Sequence, residues 1–284
     1  LVVTDKLKND KKQIKVKDTL KFLTEASTML RENSASKIIG ITGSSGKTSL
    51  KELIGRSLNK ICNATYSPKS FNNKFGVPLS LFNLKKNDNF GIFEIAMDKK
   101  REINFLSKII KPDVGVITNI SYAHIKNFEN IKGIAQAKSE IIQNIKKDGY
   151  LVLNGDDHFY NFHKKIALKM KLKIISFSIK NKSSNIYLNL IKKEKSKYKI
   201  FVNINNLNKY FYLSTPYEND IKNLLATIAV ISIFKDINKL DSDMFYKHQI
   251  PSGRGDVSQI KLFKKNFYLI DQSYNSNPLS MYSA

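Results

Sequence analysis

A glycine-rich loop held between an apolar strand and an amphipathic helix restricts this chain more than any other feature. The loop lies in Gly40-Ile41-Thr42-Gly43-Ser44-Ser45-Gly46-Lys47-Thr48-Ser49, after the β-rich run Lys37-Ile38-Ile39. Behind it Leu50, Leu53, Ile54, Leu58 and Ile61 recur at the spacing of one helical face. A strand turning through such a loop into a helix aims several backbone N–H groups at one point, at the positive end of the helix dipole. That point suits phosphate. Lys47 can reach terminal phosphates there, and the hydroxyl of Thr48 or Ser49 can hold Mg²⁺. Gly43, Ser44, Ser45, Gly46, Lys47, Thr48 and Ser49 are therefore the expected nucleotide-binding residues. The first glycine of the usual phosphate-loop spacing would fall at Ile41, so what stands is the tighter Gly43-x-x-Gly46-Lys47-Thr48.

From residue 37 onward apolar runs alternate with helical patterns. Strands are expected at 37–42, 89–96, 113–119, 150–153 and 173–178, and helices at 47–61, 101–110, 130–147 and 157–169. This alternation predicts an α/β domain with a mostly parallel sheet flanked by helices. Ligands in such sheets sit at the carboxyl ends of strands. A helix is also expected over 18–33. Short alternating strands within 184–213 predict antiparallel additions at the sheet edge, followed by a helix at about 219–234. Pro251-Ser252-Gly253-Arg254-Gly255 reads as a hinge, and strands at 257–263 and 266–271 follow it. Both termini read as cuts through a larger protein.

A net charge of +24 invites a nucleic-acid reading. Only Arg31, Arg56, Arg101 and Arg254 are arginine, however, and the remaining basic residues are lysines spread over the whole length. Clustered arginine interleaved with aromatics is missing, so solvated lysine faces are the simpler expectation. A single cysteine, Cys62, excludes an internal disulfide and points to a reducing compartment, the cytoplasm. No apolar run approaches the roughly 18 residues that a membrane span requires.

Three residues beyond the loop could carry chemistry. Glu94 ends the apolar run Phe90-Gly91-Ile92-Phe93-Glu94, where a carboxylate is costly unless paired or bound to metal. A magnesium role is favoured over a solvent-facing edge position. His124 follows another expected strand end and is as readily structural as functional. Lys138 shares a helical face with Ile134, Ile141 and Ile145, so it must snorkel, pair or lose its charge. Snorkelling is the simplest of the three. A neutral lysine could instead react with carbon dioxide to give a carbamate, an anionic metal ligand.

In combination these segments resemble the Mur ligases. The run Ile38 to Lys51 is similar to their ATP loop. The stretch Asn72-Asn73-Lys74-Phe75-Gly76-Val77-Pro78-Leu79 is similar to the Asn-Asn-x-x-Gly-x-Pro-Leu segment of the branch that adds D-alanyl-D-alanine. Further matches are Ile117-Thr118-Asn119-Ile120 with Ala123-His124, Ala135-Gln136-Ala137-Lys138-Ser139-Glu140, Leu153-Asn154-Gly155-Asp156-Asp157, and Asp271-Gln272-Ser273-Tyr274-Asn275-Ser276-Asn277-Pro278. The resemblance implies the tail of a UDP-sugar domain at 1–17, a connecting helix at 18–35, and a central ATP-binding domain at 36–249. A linker and the start of a Rossmann-like third domain would occupy 250–284.

The implied enzyme is a monomeric, ADP-forming amide ligase acting on UDP-MurNAc-tripeptide and D-alanyl-D-alanine through an acyl phosphate. Lys47 would bind the β- and γ-phosphates and Thr48 one Mg²⁺. Glu94 and His124 would hold a second Mg²⁺ beside a carbamate on Lys138. Asn72 and Asn73 would face the substrate, Asn223 the adenine, and Arg254 and Asp271 would approach the nucleotide. A close alternative is a folylpolyglutamate synthetase-like ligase of the same superfamily. A different one is a basic P-loop protein that binds nucleic acid. The chain departs from the branch at Asp98, Lys99 and Arg101, where asparagine, histidine and glycine are usual, and at Tyr217-Glu218-Asn219-Asp220 before the expected adenine helix.

Overall fold

The alternating apolar and amphipathic runs assemble one nine-stranded sheet, with two small strand pairs beside it. The computed structural model describes residues 2–4, 13–123, 125–246, 253–263, 265–271 and 273–274. The chain begins with β1 (Val2–Thr4), β2 (Gln13–Lys15) and α1 (Thr19–Glu32), followed by β3 (Lys37–Thr42) and α2 (Lys47–Asn59). Next come β4 (Ala64–Tyr66), α3 (Gly76–Leu81), β5 (Phe90–Glu94), α4 (Glu102–Ile110) and β6 (Val114–Ile117). The chain then forms α5 (Ile131–Ser139), β7 (Tyr150–Asn154), α6 (Tyr160–Lys169) and β8 (Lys173–Ser178). Last are β9 (Ile186–Glu194), β10 (Lys197–Ile204), β11 (Leu207–Leu213), α7 (Glu218–Ser232), β12 (Asp256–Leu262) and β13 (Lys265–Asp271).

The order across the sheet is β11-β10-β9-β8-β7-β6-β3-β5-β4. Strands from β4 to β9 pair in parallel, whereas β9, β10 and β11 pair antiparallel, as the short alternating runs predict. β3 lies between β5 and β6, so the glycine loop leaves the interior of the sheet.

Alternation along β3 sends side chains to two separate cores. Ile39 and Ile41 pack with Leu50, Leu53, Ile54 and Leu58 of α2 and with most of α7. On the other face Ile38 joins Phe93, Leu106, Ile110, Ile134 and Ile141 beneath α3, α4 and α5. Each such fully buried aliphatic side chain contributes about 1.5–3 kcal/mol. α1 closes over α3 and α4, with its first turn capped by the Asp18 carboxylate, which accepts from Lys21 N at 2.9 Å. Its last turn is fixed by the buried Arg31, which donates to Ile110 O at 2.7 Å and pairs with Asp113 at 3.2 Å.

The helix expected over 130–147 is shorter than its periodicity predicts. α5 stops at Ser139, a 3₁₀ stretch covers Glu140–Asn144, and Ile145 is extended. Glu140 explains the break, because its carboxylate accepts from Arg101 N at 2.8 Å and Asn104 N at 3.0 Å, tying this stretch to the start of α4. Likewise α6 begins at Tyr160 rather than 157, because Asp157 turns to accept from Ile120 N at 2.8 Å.

Candidate active site

β3 delivers its loop to the carboxyl edge of the sheet, where two glycines turn it. Gly43 has φ +148° and Gly46 φ +76°, a region that side chains disfavour. Space matters as much: a Cβ on Gly43 would lie 1.8 Å from Thr118 Oγ1. The loop is clasped by the segment after β6. Ser44 N donates to Asn119 O at 2.9 Å and Ser45 N to Asn119 Oδ1 at 3.1 Å. Thr118 Oγ1 donates to Ser45 O at 2.7 Å, and Ser44 Oγ accepts from Ser121 N at 2.8 Å. α2 has no side-chain cap, so the amides of its first turn are left for a ligand. Lys47, half-buried, folds back to donate to Gly43 O at 2.8 Å. Desolvation lowers its pKa; the Glu94 carboxylate works against that shift and Arg254 adds to it.

Thr48 points to the neighbouring strand. Its hydroxyl donates to Glu94 Oε2 at 2.7 Å, and Asn72 Nδ2 donates to Glu94 Oε1 at 2.8 Å. Glu94 is 2% exposed, so the carboxylate expected to face metal is buried and held by the phosphate loop and the Asn-Asn segment together. The approach to that segment is fixed from α2, where the fully buried Lys51 donates to Ser67 O at 2.5 Å and pairs with Glu52 at 3.2 Å. Asn73 is used differently: its Oδ1 accepts from Gly76 N at 2.9 Å and Phe75 N at 3.1 Å, shaping the entry to α3.

Around these groups opens a cavity of about 1010 Å³. Residues 44–50, Asn72, Asn73, Glu94, Asn223 and Arg254 all line it. Asn223 enters from α7, and its Oδ1 would lie 3.7 Å from a Cβ on Gly46. Beside it Asp220 accepts from the Thr215 hydroxyl, and burial raises its pKa. Arg254 donates to Ser70 Oγ at 3.3 Å and its guanidinium lies 4.3 Å from the Tyr274 ring centroid. Asp271 does not join this lining. It ends β13, its carbonyl accepting from Gly255 N at 2.7 Å and its carboxylate from Ser273 N at 2.9 Å.

Lys138 corrects the snorkelling expectation. It is 1% exposed, and its ammonium has no hydrogen bond or ion pair among the described residues. Burial first, and then the like charge of Lys47, push its pKa well below the usual lysine value. His124 lies outside the described residues. At Arg101, where the branch has glycine, the backbone holds φ +72°, and Glu102 Oε2 accepts from Asp98 N and Lys99 N at 2.6 and 3.0 Å. The clasp made by Thr118 and Asn119 was not anticipated as a functional contact; a Thr-Asn pair at a strand end next to a phosphate loop is the signal for it.

Fold and loop define the class, an α/β phosphate-loop protein. The chain belongs to the Mur ligase family, for the family's "Mur ligase middle domain" matches residues 41–231. A relative from Buchnera aphidicola subsp. Baizongia pistaciae, a UDP-N-acetylmuramoyl-tripeptide–D-alanyl-D-alanine ligase, is 34% identical over 96% of this chain and 58% of its own length. MurF from Acinetobacter baumannii superposes with a TM-score of 0.87 at 27% identity, over 99% of this chain and 60% of that one. A MurF ligase from Thermotoga maritima in complex with ADP shares the fold, with a TM-score of 0.85 at 23% identity over 99% of this chain and 64% of that one. Likeness to an FPGS from L. casei is weaker, with a TM-score of 0.63 at 12% identity over 79% of this chain and 64% of that one. The chain spans about three fifths of the length of these relatives.

Proposed function

We propose that this chain is the ATP-binding part of a ligase that joins D-alanyl-D-alanine to UDP-MurNAc-tripeptide. The observation that carries the reading is the loop with uncapped helical amides, Lys47 above it and Thr48 bonded to the buried Glu94. Triphosphate would lie along the first turn of α2, with Lys47 leaving Gly43 O to meet the β- and γ-phosphates. Asn223 would face the adenine, and Arg254 would close from the other side.

The donor set suits Mg²⁺, since Thr48 and Glu94 offer hard oxygen atoms that are already adjacent. Bound there, the cation would neutralise phosphate charge. The buried amine of Lys138 could carry a carbamate, and Glu94, His124 and that carbamate would then supply the ligands of a second Mg²⁺. The tripeptide carboxylate would attack the γ-phosphorus and release ADP. The amine of D-alanyl-D-alanine would then attack the acyl carbon and release phosphate. Lys47 would hold the transferring group in line and take up its charge. Asn72, tied to Glu94, would connect the substrate side to the phosphate side.

A monomer in the cytoplasm suits this reading. Cys62 is the single cysteine, and no described helix is long and apolar enough to cross a membrane. The test is calorimetric titration of this chain with Mg²⁺ and a non-hydrolysable ATP analogue, beside Lys47→Ala. The expected outcome is binding that weakens about 10–100-fold in the variant. Equal affinities for the two proteins reject the loop assignment.

A further inference from the structure

Thr42 Oγ1 is one of three buried hydroxyls without a hydrogen-bond partner among the described residues; the others are Ser121 Oγ and Ser184 Oγ. Such atoms are rare, because an unsatisfied buried hydroxyl keeps its full desolvation cost. Thr42 closes β3 immediately before the phosphate loop and is fully buried.

Its surroundings follow from the strand. Ile39 and Ile41 face α2, so Gly40 and Thr42 face the opposite core, beneath α4, α5 and the 3₁₀ stretch that follows it. A Cβ on Gly40 would meet Ile141 Cδ1 at 3.3 Å. Further along the chain, Lys146 N reaches the foot of β6, donating to Pro112 O at 2.9 Å. The stretch from Lys138 to Lys146 therefore descends as β3 rises. Stepping from Gly40 to Thr42 climbs about 6.6 Å, and stepping back from Ile141 to Lys138 climbs about 5 Å. This count puts Thr42 and Lys138 over the same face of the sheet at similar heights, an unpaired hydroxyl near a buried amine.

We propose that Thr42 Oγ1 is the hydrogen-bond donor that holds the carbamate formed on Lys138 Nζ. The inference rests on the carbamate reading given above and makes Thr42 a positioning residue for it. In the reaction the neutral amine attacks the carbon of CO₂. The N–C bond forms as one C=O π pair moves to oxygen, and one N–H proton leaves to water. The product carries a single negative charge on two acceptor oxygens. One step supplies the hydroxyl with its missing acceptor and places an anion, where a neutral amine stood, within reach of the Lys47 charge.

The test uses this chain in CO₂-free buffer, titrated with ¹³C-bicarbonate while the carbamate ¹³C resonance is followed. Lys138→Ala supplies the blank. Thr42→Val keeps the shape and removes the hydroxyl. Ser184→Ala removes an unpaired hydroxyl at another strand end, beside Gly155. The half-saturating bicarbonate concentration is expected to rise about tenfold or more in Thr42→Val and to stay within about twofold in Ser184→Ala. Thr42→Ser, which retains the donor, is expected to titrate like the parent chain. If Thr42→Val does not fold, Thr42→Ser against Thr42→Ala makes the same comparison. Titrations identical with and without the hydroxyl overturn the Thr42 assignment and leave the carbamate standing. No Lys138-dependent resonance in the parent chain overturns the carbamate and the assignment together.

Discussion

β3 and the β12–β13 hairpin are both fully paired runs rich in β-formers, yet one is the centre of the molecule and the other its periphery. In β3, Ile38, Ile39 and Ile41 are completely buried. In the hairpin, Val257, Leu262, Phe267 and Ile270 are each between 44% and 49% exposed, and Phe263 at its turn is 87% exposed. Backbone pairing is therefore not what separates them. β3 has a strand on either side and helices on both faces, whereas the hairpin strands pair only with each other. A two-stranded ribbon without a covered face is marginal in water. Stability must come from the sheet interior, and the phosphate loop stands directly upon it.

Substitutions can break or sharpen that contrast. The largest effect is expected for Phe93→Ala in the core under α3 and α4, about 3–5 kcal/mol by chemical denaturation; a loss below 1 kcal/mol would show that the central sheet is not the stabilising unit. Gly43→Ala comes next, costing about 1–3 kcal/mol through its positive φ and its clash with Thr118. It should also erase nucleotide binding, and retained affinity would mean that the loop can reshape.

Lys138→Met tests the buried amine through pH. A lysine with a depressed folded pKa contributes stability fully present above its unfolded pKa of about 10.4. That stability is lost as pH falls through the folded value, because the unfolded chain takes up its proton first. The melting temperature of Lys138→Met minus that of the parent should therefore grow as pH drops from about 10 toward 7 in CO₂-free buffer. A difference independent of pH would place the ammonium in water. The smallest effect is expected for Phe263→Asn, at a turn position with φ +49°, within about 0.5 kcal/mol of the parent. Measurable global destabilisation there would make the hairpin part of the cooperative core.

Much of this contrast was legible before the structure. Strongly periodic runs set β3, α2, β5, β6, β7 and β8, because one face of each must meet a core. Lys138 was placed on the apolar face of its helix by spacing alone; its full burial was not, since four methylenes can reach water from many such positions. β4 and α3 escaped notice for different reasons. Ala64–Tyr66 is too short to show a period, and Gly76–Leu81 contains Pro78 and takes its entry from the Asn73 side chain. Phosphate-loop residues were visible as a pattern. Their clasp was not, because Asn119 and Ser45 lie 74 positions apart and meet only once the sheet is built. Glu94 was singled out by its cost in an apolar strand, and that cost is what Thr48 and Asn72 offset.

The clasp by Thr118, Asn119 and Ser121 has a kinetic consequence. A loop held by its neighbours before any ligand arrives has no folding step left to perform on contact. Capture then proceeds at the frequency of encounter, modulated by charge and ionic strength, and release sets how long the ligand stays. Slackening the clasp would introduce a waiting time ahead of binding, visible as an association rate that stops rising with ligand concentration.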